Sequence, residues 1–188
     1  MSNAVSAFPT WWAFCMRPEN DGSPLHDTPG DSGGWTAWGV TWATYQANAA
    51  PLGLDPSFAA FQALTQDQAG QIAKPAFWDG ILADRMPPAA AVVWMDFHWG
   101  SGGGSACLQR LLGVSDDGAV GPVTLAALQA AFDADPAGLL ARMTAARDGY
   151  YDTLGADVPP DAQFVHGWKR RAADCAVVAA TLLPGGMG

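Results

Sequence analysis

The segment from Pro18 to Thr41, PENDGSPLHDTPGDSGGWTAWGVT, is the part of the chain around which the rest of the fold is predicted to be arranged. Its glycines and prolines are too closely spaced for a long helix or strand. A long loop inside a compact domain is normally either functional or disordered, and the tryptophans near its end disfavour disorder. We therefore predict an ordered loop lined by acidic side chains, with room for a small β-hairpin.

The sequence outside this loop predicts helices joined by short connections. Thr65 and Gln68 have the spacing of a capping box, and Asp161 can cap a final helix. Apolar side chains recur in that last helix at steps of three and four residues, at Phe164, Trp168, Ala172, Cys175, Ala179 and Leu182. Few runs alternate with period two, so the predicted fold class is all-α.

Length, charge and hydropathy limit the range of functions. The 188 residues suffice for one well-cored domain, and the net charge of −9 disfavours nucleic acid and anionic membranes as partners. The longest apolar run, residues 176–183, is far shorter than the ~20 residues that span a bilayer. Residues 1–16 lack the basic start and clean apolar run of a signal peptide. We expect synthesis in the cytoplasm, a monomer, and action on the cell wall or periplasm after export or holin-type release.

Cysteine and histidine spacing predicts neither a metal site nor a cofactor. The three cysteines, Cys15, Cys107 and Cys175, are far apart and lie among apolar neighbours, which favours buried thiols, although one pair could still bond. No two of the three histidines are placed as ligands of one ion. His26, within the acidic loop, either orients a catalytic carboxylate or has a structural role.

Two acidic residues of the opening loop are candidates for acid chemistry. Glu19 follows an apolar stretch, and apolar surroundings raise a carboxyl pKa so that the group can donate a proton near neutral pH. Asp31 is the candidate for the second carboxylate because glycines on both sides allow a ligand to approach the backbone closely. Glycoside hydrolysis generally uses two such carboxylates. From the residues alone, a structural loop rich in Asx turns is slightly favoured over a sugar hydrolase.

Asp96 is the third acidic residue of interest. It lies on an apolar face of a helix predicted over residues 89–99, where a carboxylate is costly unless it is hydrogen-bonded. Either it accepts hydrogen bonds from loop amides, or it contributes to the active site as a substrate contact.

The motifs of the opening loop resemble those of glycoside hydrolase family 108. They are ENDG at residues 19–22, TPGDSGG at 28–34 and TAWGVT at 36–41. This family consists of N-acetylmuramidases, including phage endolysins and lysozyme-like proteins associated with bacterial secretion. The resemblance implies a lysozyme-like helical fold with Glu19 as the catalytic acid. Asp31 would hold a water molecule or stabilise the cationic sugar, and a saccharide groove would be lined by Trp35, Thr36, Trp38 and Thr41.

The second half of the chain resembles the predicted peptidoglycan-binding domain that follows this hydrolase in the family. The matching motifs are DF at 96–97, CLQRLLGV at 107–114, DGAVGPVTLAAL at 117–128, YY at 150–151 and FVHGW at 164–168. We therefore expect a catalytic half at residues 1–88 and a binding half at 89–188, packed as one unit. The run at 117–124 either contacts the wall itself or packs against the catalytic half.

The sequence thus predicts a bacteriolytic peptidoglycan hydrolase whose partner is the bacterial cell wall. The competing interpretation is a non-catalytic wall-binding or secretion-accessory protein in which the acidic loop only recognises glycan. An amidase or peptidase is disfavoured because no nucleophile or metal constellation is present.

Overall fold

The computed structural model describes residues 6–17, 22–27, 34–157 and 163–185, and these are mainly helical. The α-helices are α1 Phe8–Cys15, α2 Trp42–Asn48, α3 Phe58–Gln62, α4 Gln66–Ala73, α5 Pro88–Ser101, α6 Gly104–Leu111, α7 Pro122–Ala134, α8 Pro136–Asp157 and α9 Val165–Ala180. Short 3-10 turns cover Ala50–Leu52 and Ala83–Arg85, and a π-helical turn covers Lys74–Trp78. The two strands are β1 Thr36–Ala37 and β2 Val40–Thr41. The predicted all-α, lysozyme-like class with a small hairpin is confirmed.

The hairpin lies within the loop that the sequence predicted to contain it. In its antiparallel register Thr36 lies opposite Thr41 and Ala37 lies opposite Val40. The turn residues Trp38 and Gly39 have φ angles of 52° and 74°. Two successive left-handed residues are the signature of a tight hairpin turn, which explains the glycine at the second position.

The chain divides into two compact units, of which the smaller runs from Trp12 to Gly80. Its core is aromatic: the Phe61 ring lies 5.2 Å from both the Trp42 ring and the Tyr45 ring. The capping box predicted from Thr65 is present at the start of α4, with Gln68 as its partner. Its helices therefore start where short polar side chains satisfy free backbone N–H groups.

The larger unit comprises Met1–Trp11 and Ile81–Gly188, and α5 lies at its centre. Every residue of α5 from Ala89 to Phe97 is buried, because α6, α8 and α9 all pack against it. Since α5 has no polar face, its helical form depends on these neighbours rather than on amphipathic spacing. No observation tests the predicted division at residue 88, which stays a prediction.

The last helix buries part of the face that its spacing predicted. Ala172, Cys175 and Ala179 are buried, whereas Phe164 is 46% exposed at the start of the helix. The predicted cap, Asp161, lies outside the described residues. All three cysteines are free, Cys107 being partly exposed and the other two buried.

Candidate functional site

Glu19 and Asp31, the two predicted catalytic carboxylates, lie outside the described residues. The described residues on either side of Glu19 are nevertheless joined, because the Gly22 N–H donates to the Arg17 carbonyl at 3.1 Å. A β-carbon added at Gly22 would overlap the backbone of Met16 and Arg17. Glycine at position 22 therefore allows the two ends of the segment that carries Glu19 to meet.

The segment that carries Asp31 is anchored in a similar way. The His26 N–H donates to the Thr36 carbonyl at 2.8 Å, and the Thr36 N–H donates back to His26 at 2.9 Å. The Trp38 N–H also donates to the Ser23 carbonyl at 2.8 Å. Residues 22–27 thus lie alongside the hairpin. We call residues 22–27 together with the hairpin, residues 36–41, the β frame. In the sequence, the Glu19 segment precedes this frame and the Asp31 segment lies between its two parts.

Trp35 is the predicted sugar contact whose side chain is most available to a ligand. It is 42% exposed, although it is one of the largest apolar side chains in the chain. Its ring lies edge-on to that of Phe58, at 5.9 Å between centroids. Phe58 in turn meets Trp42 edge-on at 5.1 Å. We call Trp35, Trp42 and Phe58 the aromatic ledge.

The sequence did not single out Trp42 or Phe58 as functional. The helical spacing predicts only that Phe58 and Phe61 share one face of α3. The contact between Phe58 and Trp35 depends on how α3 packs. No local sequence pattern predicts such a contact between residues far apart in the chain. The aromatic ledge could be found only from the tertiary structure.

The other hairpin residues predicted to contact sugar make hydrogen bonds within the fold. The Trp38 indole N–H donates to the Leu64 carbonyl at 2.7 Å. The Thr41 hydroxyl accepts from the Thr44 N–H at 3.2 Å and so caps α2, while the Thr36 hydroxyl donates to the Gly34 carbonyl at 3.0 Å. These bonds hold the hairpin beside Trp35. Direct contact between these three side chains and sugar stays a prediction.

Asp96 is fully buried in the larger unit, between two arginines. One carboxylate oxygen lies 2.8 Å from the Arg147 guanidinium, and the other lies 2.8 Å from that of Arg171. Burial by itself would raise the pKa of Asp96, but the two guanidinium groups outweigh it and lower that pKa. With both oxygens engaged and no exposed surface, this carboxylate is placed to join α5, α8 and α9. This arrangement favours a structural role over the predicted substrate contact.

Arg147 completes this buried cluster. Its Nε–H donates to the Tyr151 hydroxyl at 2.8 Å, and its guanidinium lies 5.5 Å from the ring centroids of both Phe97 and Tyr151. Such contacts compensate a cation for lost water. Sequence reasoning identified Asp96 but not its arginine partners, which are distant along the chain.

The remaining candidates from the sequence are His26 and the residue types that bind metal ions. His26 is exposed, and its Nδ1 lies 2.9 Å from the Pro24 carbonyl oxygen. Within the described residues no group of three His, Cys, Asp or Glu side chains could hold a metal ion. No helix in the described ranges is both long and apolar enough to cross a membrane.

One further signal in the sequence concerns Glu19. The chain contains eighteen acidic residues, and all of them except Glu19 are aspartates. Glutamate is the better helix former of the two acids, so its absence from all helices of the described residues is unusual. The single glutamate occurs instead in the segment from Pro18 to Thr41, for which the sequence predicts a loop.

Comparison with known families divides the chain into two matched regions. Residues 19–102 match the model of the family Glycosyl hydrolase 108, and residues 103–173 match that of the Predicted Peptidoglycan domain. Among solved structures, the chain is similar to SagA from Brucella abortus, with 27% identity and a TM-score of 0.72 over 97% of this chain and 94% of that one. Comparison with curated proteins gives no significant match. The family resemblance predicted from the motifs is confirmed.

Proposed function

This chain joins a glycosyl hydrolase 108 domain to a predicted peptidoglycan domain, and from that premise we propose that it is an N-acetylmuramidase. The reaction is hydrolysis of the bond between N-acetylmuramic acid and N-acetylglucosamine in the glycan strand. Peptidoglycan is the substrate that unites the two domains. The order of the two matches along one chain is the observation that carries the proposal.

Glu19 is proposed as the general acid that protonates the oxygen of the leaving sugar. A positioned proton donor contributes on the order of 100- to 10,000-fold to the rate. The hydrogen bond between Arg17 and Gly22 supports this role, since it fixes the two ends of the segment that carries the acid. The preceding helix, α1, consists almost entirely of apolar residues, as a raised carboxyl pKa requires.

Asp31 is proposed as the second carboxylate, which activates a water molecule or stabilises the cationic sugar. Glycosidases of both stereochemical outcomes need two carboxyl groups across the scissile bond. The pairing of His26 with Thr36 supports this assignment, because it starts the Asp31 segment from the same β frame as the Glu19 segment.

The aromatic ledge is proposed to carry one sugar ring of the glycan. Trp35 supplies the exposed face, Phe58 contacts that indole edge-on, and Trp42 in turn contacts Phe58 edge-on. A large, rigid and partly exposed aromatic side chain loses little conformational entropy when it binds a ligand. The ledge therefore suits a saccharide with an apolar face.

Substitution of the single glutamate tests the assignment of the acid. Glu19→Gln is expected to lower the release of reducing ends from purified peptidoglycan at least 100-fold, since an amide cannot donate the proton. Thermal unfolding is expected to stay within a few degrees of the parent protein. Asp27→Asn removes one charge from an exposed position of the same loop and serves as the matched control, with activity retained. Full activity in Glu19→Gln would refute the assignment.

Mass spectrometry of the digested wall identifies the bond that is cleaved. A muramidase leaves N-acetylmuramic acid at the new reducing end, whereas a glucosaminidase leaves N-acetylglucosamine. Retention on insoluble peptidoglycan with no new reducing ends would favour the alternative, a wall-binding or secretion-accessory protein.

We further propose that the enzyme acts on the cell wall after export or holin-type release, and that it lyses bacteria there.

A further inference from the structure

A small cavity in the larger unit lies between the end of α6 and the start of α7. Its volume is about 260 Å³, and its wall is formed mainly by the connection between the two helices. It lies within the region that matches the Predicted Peptidoglycan domain, and its lining includes most of the run at 117–124, for which the sequence left two roles open.

The floor of this cavity is held by one buried glutamine. Gln109 is 1% exposed, and its Nε2 lies 3.0 Å from Asp117 Oδ1, 3.0 Å from the Ala119 carbonyl and 3.2 Å from the Thr124 hydroxyl. Its Oε1 accepts from the Gly118 N–H at 2.8 Å. A fully hydrogen-bonded amide in this position fixes the connecting loop. The concavity is therefore part of the folded structure rather than a gap between mobile loops.

Size and lining favour a peptide over a sugar as the occupant. Whole drug-sized ligands occupy pockets of roughly 300 to 1,000 Å³, so this cavity suits one residue of a larger polymer. None of the described residues that line it is aromatic, so it offers no ring on which a saccharide could stack. Val114, Pro122 and Val123 instead give it an apolar wall, and Val123 is 71% exposed at the rim.

The negative charge at the rim of the cavity favours a ligand that carries an amine. Hydrogen bonds from the Ala119 N–H and from the Gln109 amide lower the pKa of Asp117, so this exposed residue is a carboxylate near neutral pH. The neighbouring Asp116 is neutralised by Arg110, 2.8 Å away. In the described part of the chain no cation pairs with Asp117. Its charge is available to a ligand ammonium group.

We propose that this cavity binds the peptide part of peptidoglycan, with an aliphatic side chain against Val123 and a free primary amine beside Asp117. The choice of peptidoglycan as the polymer rests on the proposed function. The cavity thereby gives the second domain a specificity for peptide that the aromatic ledge, proposed to hold sugar, does not provide. Such a site would keep the enzyme on walls whose stem peptides carry an uncross-linked diamino acid.

The test is a titration with three soluble ligands, monitored by nuclear magnetic resonance. It uses the Glu19→Gln variant, which leaves the ligands intact. The ligands are a stem peptide that ends in a diamino acid, the same peptide with its side-chain amine acetylated, and the peptide-free disaccharide. We expect shifts at residues 109–124 with the free-amine peptide, and at least tenfold weaker binding of the acetylated peptide. The disaccharide should not shift these residues.

Matched substitutions separate the cavity from general surface effects. Val123→Lys places a cation at the rim and is expected to weaken binding of the free-amine peptide at least tenfold. Val177→Lys changes a valine on α9 that is 70% exposed and does not line the cavity, and should leave that binding unchanged. Asp117→Asn should abolish the preference for the free amine.

Three results would overturn the inference: equal binding of the free and acetylated peptides, shifts at 109–124 caused by the disaccharide, or no peptide binding at all. Each is distinct from failure of the proposed function, which is read from reducing-end release by the wild-type protein. Peptide binding without hydrolysis would refute the proposed muramidase activity and still support the proposed peptide site in the cavity.

Discussion

Trp35 is a residue whose position is not explained by stability. Its indole is 42% exposed and contacts Phe58 only edge-on, so the fold gains less from it than from a buried tryptophan. Exposed large aromatic side chains are common at binding surfaces. We propose sugar binding as the reason for this exposure.

Trp35→Ala is therefore expected to affect substrate binding more than folding. We expect about a tenfold increase in KM for glycan, equivalent to about 1.4 kcal/mol, because one face of a sugar ring loses its partner. The unfolding free energy should fall by about 1 kcal/mol or less, the size of one aromatic pair. Leu52→Ala, at a residue that is 37% exposed in the same unit, is the control and should leave KM unchanged. An unchanged KM in Trp35→Ala would remove the ledge from the proposed site.

Asp96 is the opposite case, since its burial and its two arginine partners favour a structural role. If the carboxylate is removed, the positive charges of Arg147 and Arg171 lie close together in a largely buried region without the negative charge they share. Breaking a buried ion pair from one side typically costs about 3–5 kcal/mol. Because the pKa of Asp96 is lowered, we also expect the protein to lose stability in acid.

Asp96→Asn should thus lower the unfolding free energy by about 3–5 kcal/mol at neutral pH, as measured by urea denaturation. The folded-state pKa of Asp96 is lowered, so its stabilisation is present above the ordinary value of about 3.9 and is lost as the pH falls through the lower folded-state value. The acid limb of the stability curve should become flatter in the variant. Asp79→Asn breaks an exposed bridge to Lys74 and should cost less than about 1 kcal/mol. Equal losses in the two variants would contradict the structural role.

At the scale of secondary structure, α2 is fixed by the residue that ends the hairpin. Thr41 belongs to β2 and caps α2 at the same time, so one hydroxyl sets both the end of the strand and the start of the helix. This explains why a threonine follows the turn without any need for a sugar.

Thr41→Ala is expected to lower the unfolding free energy by about 1 kcal/mol, the usual cost of losing a cap. Thr41→Ser keeps the hydroxyl and should restore most of the stability. Thermal unfolding and KM should be measured on both variants. A large change in KM for Thr41→Ala with no change in melting temperature would instead support the predicted contact with substrate.

The predicted helices that differ most from the structure lie between α4 and α5. The local pattern predicts that α4 ends before Pro75, as it does at Ala73, and that residues 76–86 form a further amphipathic segment. In place of that segment, a π-helical turn covers Lys74–Trp78, and a second short turn follows Leu82, whose φ is +54°. Proline is tolerated early in a helical turn, where its missing N–H would be unpaired in any case. Local pattern alone does not separate this arrangement from a regular helix.

At the scale of the whole molecule, the net negative charge affects the rate at which the protein encounters the cell wall. The net charge is −9, and the peptidoglycan wall also carries carboxylates. Long-range repulsion between like charges slows encounter, and it acts over about 30 Å at 0.01 M salt but only about 8 Å at 0.15 M.

The rate of wall hydrolysis should therefore rise several-fold as the ionic strength increases from about 0.01 M to 0.15 M. A short, neutral glycan oligomer is the control substrate, and its hydrolysis should hardly depend on salt. Turbidity loss and reducing-end release report the two rates. A fall in wall hydrolysis with added salt would show that local attraction outweighs the net charge.

The amino-acid sequence by itself determined the features that depend on neighbouring residues. The capping box at Thr65, the hairpin turn at Gly39 and the apolar spacing of α9 all follow from local backbone and side-chain chemistry. The order of motifs along the chain likewise identified the family. These features span few residues, so their physical causes can be read along the sequence.

Only the tertiary structure decided which distant residues meet. It placed Arg147 and Arg171 on Asp96, brought Phe58 to Trp35, and formed the cavity above Gln109. Such contacts arise when helices pack, and the packing free energy is shared among many side chains that local patterns do not connect. The same local chemistry is compatible with several packings, so the partners of a buried charge follow from the fold as a whole.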